Sequence, residues 1–293
     1  MCPIITSERA RHSTKSRQTR PGSFRWYGSK GNMMPSLIPL FPHHDRYVSV
    51  FGGSGADISG KPRSRVEVYN DLNCDLVNFY AVLRSVSDRR TLQHWLEHTP
   101  ICRTQFEECA AIVAEGGGIP VRRAWAFFYC LTFAFAGRDP ALAKSGAFAP
   151  SLLNRQPAKW RNVREHIDGA ARRYREVLLE NMSWDALLDK YDADQTLFYL
   201  DPPYVKTTRQ SPTVYRHEMS DAQHVTLLER LQFVKARVML SGYDCALYQE
   251  YLGAWRRVAF QVKCSCSANH TKPERTEVVW MNYETCGARI KTS

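Results

Sequence analysis

The residues with the clearest chemical capacity in this chain are Asp201, Pro202, Pro203 and Tyr204, which follow the apolar run Leu197-Phe198-Tyr199-Leu200 without a spacer. A short apolar run bounded by proline reads as a buried strand that stops abruptly. The carboxyl end of such a strand is where open α/β sheets place their ligands. Proline has no amide donor, so the carbonyls near this turn are acceptors with no competing donor beside them. A carboxylate, a donor-free rigid turn and an aromatic ring together suit a flat group that presents N–H donors. A base with an exocyclic amine is such a group. Asp201 also reads as a helix N-cap after a strand, but a cap needs neither two prolines nor a tyrosine.

A second set of residues suits a cofactor. The strand pattern Tyr47-Val48-Ser49-Val50-Phe51 opens directly into Gly52-Gly53-Ser54-Gly55-Ala56. Glycines straight after a strand let the backbone approach a ligand closely. No Gly-Lys-Ser/Thr follows, which excludes the phosphate loop of nucleotide hydrolases, and the spacing differs from the dinucleotide fingerprint. The next strand, Val66-Glu67-Val68-Tyr69, ends at Asn70-Asp71-Leu72-Asn73. An acid at that place hydrogen-bonds a ribose in related sheets, although Asn70 or Asp71 serves equally well as cap of a helix over Asp75–Arg84. Glycine turn and acid together suggest an adenosine-type cofactor. Upstream, Gly28-Ser29 reads as entry to a helix with Ser29 as its cap.

Between 85 and 194 the apolar spacing turns helical, as in Leu92, Trp95 and Leu96, then Phe106, Cys109 and Val113. This stretch is too long for a crossover connection. It reads as a helical insertion into a catalytic domain formed by 24–84 and 195–293. Its second half is basic, with Arg138, Lys144, Arg155 and Lys159 interleaved with Phe148, Asn154, Gln156 and Trp160. Arginine, asparagine and glutamine read base edges, while arginine and lysine grip phosphate. The insertion is therefore expected to be a DNA target-recognition subdomain on the strength of the cluster as a whole, since any one of these residues alone reads better as solvated surface charge. Its last helix is expected over Arg161–Glu180. Lys206 and Arg209, in the polar loop after Tyr204, are further DNA candidates. Ser220 caps a helix, and strands at Arg237–Leu240, Arg257–Val262 and Glu277–Asn282 complete an α/β order ending in a hairpin.

The whole chain sets outer limits. With 293 residues, 44% of them hydrophobic and 12% aromatic, it has the composition of a soluble globular protein with one substantial core. No apolar run is long enough to span a membrane. The net charge of +11 calls for a polyanionic partner, and without a basic amphipathic helix nucleic acid ranks ahead of a membrane surface. Residues 1–23 are rich in arginine and serine, lack the apolar centre of a secretory signal, and read as a disordered basic tail. The nine cysteines are odd in number and scattered, as reduced thiols of a cytoplasmic protein are. None has zinc-site spacing, and no metal is expected.

In order along the chain, these motifs resemble the Dam-like, D12-class DNA adenine-N6 methyltransferases, particularly phage and prophage members. Trp26-Tyr27-Gly28-Ser29-Lys30 resembles that family's Trp-x-Gly-Gly-Lys element, with Ser29 in place of the second glycine. Phe51-Gly52-Gly53-Ser54-Gly55-Ala56 resembles its glycine turn, Tyr69–Asn73 its Asn-Asp segment, and Asp201-Pro202-Pro203-Tyr204 its catalytic signature without change. The resemblance implies a Rossmann-like sheet, S-adenosylmethionine as methyl donor and adenine in double-stranded DNA as acceptor. It implies cofactor contacts from Trp26, Tyr27, Lys30, Phe51, Gly52, Gly53, Ser54, Gly55, Asp71 and Asp201. Asp201 and the Pro202 carbonyl would accept hydrogen bonds from the target amine, and Tyr204 would stack on a base flipped from the duplex. RNA or a protein amide as substrate, or a DNA-binding relative without turnover, are the competing readings.

Overall fold

The computed structural model describes residues 4–5, 24, 26–134, 137, 139–142, 148–149, 160, 162–209, 215–263 and 274–285. Their strands are β1 (Ile4–Ile5), β2 (Arg46–Ser49), β3 (Val66–Asn70), β4 (Leu178–Glu180), β5 (Thr196–Leu200), β6 (Arg237–Tyr243), β7 (Arg256–Lys263) and β8 (Glu274–Met281). They form one sheet in the order β1-β7-β8-β6-β5-β2-β3-β4. The run from β4 to β6 is parallel, whereas β8 pairs antiparallel with both β6 and β7. The expected C-terminal hairpin is thus present, and its second strand is inserted into the sheet.

Strand β5 reads as continuously apolar after Thr196 because helices cover both sheet faces. Leu197 and Tyr199 of β5 face one apolar cluster, and Phe198 and Leu200 face the other. The same alternation divides Tyr47 from Val48 and Met239 from Leu240. Each fully buried side chain of this size contributes about 1.5–3 kcal/mol, and all of β5 is buried. One face carries α1 (Met34–Leu37), α2 (Ala56–Gly60), α3 (Cys74–Arg84), α4 (Val86–His98), α5 (Arg103–Glu115), α6 (Pro120–Phe133) and α7 (Val163–Tyr174). The other carries α8 (Trp184–Tyr191), α9 (Asp221–Leu231) and α10 (Ala246–Leu252). Ser220 caps α9 in a reciprocal box with Gln223, as its sequence signals.

Three expectations need correcting. The helix expected over Arg161–Glu180 ends at Tyr174, and Leu178–Glu180 is instead the edge strand β4. Three residues carry too little pattern to separate a strand from the helix before it. The end of the stretch expected as an insertion thus contributes β4, which pairs with β3, and α8. The helices α4–α7 share one apolar cluster with β2, β3 and β5, so the insertion is built onto the sheet. Finally, Ile4–Ile5 pairs with β7, while the rest of residues 1–23 lies outside the described residues. Among the described residues no helix is long and apolar enough to cross a membrane.

Candidate active site

Strands β2 and β5 are parallel neighbours, but the chain leaves β2 for β3 on one side and β5 for β6 on the other. At such a switch point the loops diverge and leave a crevice beyond the carboxyl ends. A cavity of about 330 Å³ opens there, lined by Trp26–Lys30, the turn after β2, Asp71, Asp201 and Tyr215–Met219. Its size fits a small-molecule site. The glycine turn and the Asp-Pro-Pro-Tyr turn thus meet because they end adjacent strands.

The glycine turn is held from several sides. Gly53 and Gly55 adopt φ of 50° and 61°, a region costly for residues with a Cβ. A Cβ on Gly55 would lie 1.7 Å from the Tyr174 hydroxyl. Asp71 Oδ2 accepts from the Gly53 N–H at 2.9 Å, and its Oδ1 accepts from the Asn73 N–H at 2.8 Å. Asp71 therefore ties the end of β3 to the turn, and Asn73, not Asn70 or Asp71, caps α3 by accepting from the Asp75 N–H. Burial pushes the Asp71 carboxyl above its ordinary value, against the pull of those two N–H groups. Phe51, Gly52 and Ser54 line the cavity with Trp26 and Tyr27. Ser29 makes no side-chain cap bond; its Oγ lies 2.8 Å from Ser54 Oγ and links the N-terminal loop to the turn.

Around Asp201 the charges form a chain. The Lys30 ammonium lies 3.2 Å from Asp201 Oδ1 and 3.5 Å from Glu277 Oε2, and it donates to the Gly28 carbonyl at 3.3 Å. It also sits 4.6 Å from the centre of the Tyr204 ring, close enough for cation–π attraction. The Tyr204 hydroxyl donates to Glu277 Oε2 at 2.6 Å, and its ring meets Tyr243 edge to face at 4.6 Å. Burial pushes the Asp201 carboxyl up to about 6; Lys30 pulls it down and Glu277 adds to the rise. Burial disfavours the Lys30 charge, but Asp201 and Glu277 more than offset that and hold the proton on. Asp201 Oδ1 is buried with Lys30 as ion-pair partner but without a well-directed hydrogen bond. Pro202 is buried, and Pro203 lines the cavity.

The structure sorts the DNA candidates. Lys206 is exposed on a single turn after Tyr204. Arg209 is not free for phosphate as expected: its guanidinium makes a two-pronged pair with Glu218 at 2.5 and 3.1 Å and is largely buried. Glu218 also accepts from the Tyr215 N–H, so it joins Arg209 to the described segment 215–219 beside the cavity. Arg138, Lys144, Arg155 and Lys159 lie outside the described residues.

Several cavity residues escaped sequence reasoning. Ser183, Trp184 and Asp185 enter it from the start of α8, and Arg216 bridges Asp75 and Asp139, each at 2.9 Å. Glu277, which reaches the site through Lys30 and Tyr204 rather than by lining the cavity, stood in the sequence at the start of the expected last strand and beside Arg275-Thr276 in a segment that resembles the family's end, with no role assigned to it. Among the lining residues Asp57, Asp71, Asp139, Asp185, Asp201 and Glu218 outnumber Lys30 and Arg216. In a chain of net charge +11 the charged lining of this hollow is thus mainly carboxylate, and of these groups Asp201, Glu218 and Asp139 are paired with Lys30, Arg209 and Arg216.

The comparisons agree with this geometry. Residues 26–258 match the family model described as D12 class N6 adenine-specific DNA methyltransferase. The DNA N-6-adenine-methyltransferase of Escherichia phage P1 is 31% identical over 88 residues, a stretch that is 28% of this chain and 12% of the phage protein. The chain therefore spans only a small part of that relative's length. The family match, by contrast, takes in most of the chain, including both turns that form the crevice. The protein belongs to the family of D12 class N6 adenine-specific DNA methyltransferases.

Proposed function

We propose that the protein transfers a methyl group from S-adenosylmethionine to the exocyclic N6 amine of an adenine in double-stranded DNA. The observation that carries this reading is the placement of Asp201, at the end of β5, on the same cavity as the glycine turn. The cavity's surplus of carboxylates and its Trp26 and Trp184 rings fit a cationic ligand with a flat base. Trp26, the glycine turn, Asp71 and Trp184 would hold that cofactor, which when bound supplies an electrophilic methyl group on positively charged sulfur.

The amine of adenine is a weak nucleophile because its lone pair is delocalised into the ring. Ionised Asp201 and the Pro202 carbonyl would accept its two N–H hydrogens, which favours a tetrahedral nitrogen with its lone pair aimed at the methyl group. Fixed orientation of this kind supplies several kcal/mol of barrier reduction. After transfer the nitrogen is cationic and loses a proton, and Asp201, which titrates at about 6, is placed to receive it. Tyr204, anchored through its hydroxyl, offers a fixed ring on which an extruded base stacks. The cytoplasm of a bacterial or phage-infected cell is where such a substrate is met. Expression in a host without adenine methylation, followed by modification-sensitive sequencing of its DNA, tests the proposal. N6-methyladenine at a recurring sequence is expected; unmodified adenines alongside abundant folded protein would refute it.

A further inference from the structure

Glu277 lies on β8 opposite Tyr243 of β6 and Phe260 of β7, and it is only 8% exposed. It is outside the residues that the family model matches, which end at 258. A buried carboxylate is tolerated only when paired, and this one has two partners with distinct duties in the site, the Tyr204 hydroxyl at 2.6 Å and the Lys30 ammonium at 3.5 Å. We infer that Glu277 is a positioning residue for methyl transfer, anchoring the Tyr204 ring and drawing Lys30 partly away from Asp201 so that the Asp201 carboxylate stays available to the target amine.

The physical reason lies in how Lys30 divides its charge. An ammonium has three donors and no acceptor. One of them is spent on the Gly28 carbonyl, and the rest of the charge is shared between two carboxylates. Without the charge of Glu277, Asp201 becomes the only anion touching Lys30 in this cluster. A close ion pair would then claim the oxygen lone pairs that the amine needs. The same change releases the Tyr204 hydroxyl from its fixed acceptor, and the ring regains freedom that stacking must remove. The groups that face Asp201 are Lys30 from the N-terminal loop, Glu277 from β8, Tyr199 and Tyr204 from its own segment, Tyr215 beside the cavity, and Tyr248 from α10. Of these, Glu277 is the one that adds a second negative charge and raises Asp201's proton affinity.

The inference rests on the methyltransferase reading. Glu277→Gln and Glu277→Ala, assayed beside wild type, test it. The glutamine keeps the size and an acceptor oxygen for Tyr204 but loses the charge. It is expected to lower kcat roughly 10- to 100-fold, as small misplacements in a site do, with KM for S-adenosylmethionine unchanged. The acid limb of its pH–rate profile should move to lower pH. The alanine should in addition weaken the fluorescence rise of 2-aminopurine at the target position. Glu277→Gln with wild-type kcat and an unmoved acid limb overturns the inference. So does activity lost only in proportion to unfolded protein in either variant. Wild type that transfers no methyl group to DNA overturns the methyltransferase reading itself and this inference with it.

Discussion

Replacing Asp201 with asparagine separates what the carboxylate does for the reaction from what it does to the fold. Its carboxyl titrates at about 6 in the native protein, against an ordinary 3.8, even with Lys30 beside it. A carboxyl that titrates higher in the native state than in the unfolded chain binds protons more tightly when folded. The stability linked to it is full below about 3.8 and is lost as pH rises through about 6. At about 1.4 kcal/mol per tenfold change in proton affinity, keeping Asp201 ionised at pH 8 costs about 3 kcal/mol. With 19% of the side chain exposed, solvent screening makes that an upper figure. Asparagine has nearly the same shape and no charge, and Glu277 still pairs with Lys30. Asp201→Asn should therefore be more stable than wild type by up to about 3 kcal/mol at pH 8, with the gain gone near pH 4. Methyl transfer should fall roughly 10²- to 10³-fold, the usual loss when a preorganised polar group is removed from a reacting centre. Denaturant unfolding at both pH values, with transfer measured on the same samples, makes the test. A variant less stable than wild type at pH 8, or one with the same gain at both pH values, refutes the reasoning.

Two further outcomes follow from the same geometry. Because Asp201 must be ionised to accept the amine's hydrogens, kcat/KM should rise with pH through about 6 and then level off. A flat profile across pH 5–8 with transfer rate-limiting would remove Asp201 from that role. Trp184→Ala should weaken S-adenosylmethionine binding about tenfold, the equivalent of about 1.4 kcal/mol, which ring stacking readily supplies, while kcat stays near wild type. Calorimetric titration reads this directly, and unchanged affinity would move the adenosine end of the cavity away from α8.

The two turns that form the crevice were legible because a strand covered on both faces is written as a mainly apolar run, and both runs stop at residues with chemistry. The run Leu197–Leu200 shows this, and so does Tyr47–Phe51 with its glycines. Asp71 was found, but its choice between ribose ligand and helix cap was not readable, since the bond it makes to Gly53 joins segments whose meeting depends on strand pairing. The same holds for Arg209: as a letter in a polar loop it looks available for phosphate, and only the folded loop brings Glu218 against it. Strand β4 was lost because its three residues are half-exposed and carry no alternation. Glu277 stood beside an apolar strand in plain view, yet its partners Lys30 and Tyr204 belong to distant segments, and nothing local announces them.

The insertion of β8 between β6 and β7 has a consequence for biosynthesis. A chain grows from its N-terminus at roughly 5–20 residues per second, so the crevice loops leave the ribosome well before this strand. Until β8 arrives, β6 has an unpaired edge and the pockets for Val278 and Trp280 stand open to solvent. An open edge of that kind invites pairing with other nascent chains. The strand that closes it is also the one that delivers Glu277 beside Lys30. Shielding of the sheet and completion of the reaction centre are thus a single late event. A chain stalled short of β8 would be sticky and catalytically unfinished at once, so its defects would surface in solubility as soon as in turnover.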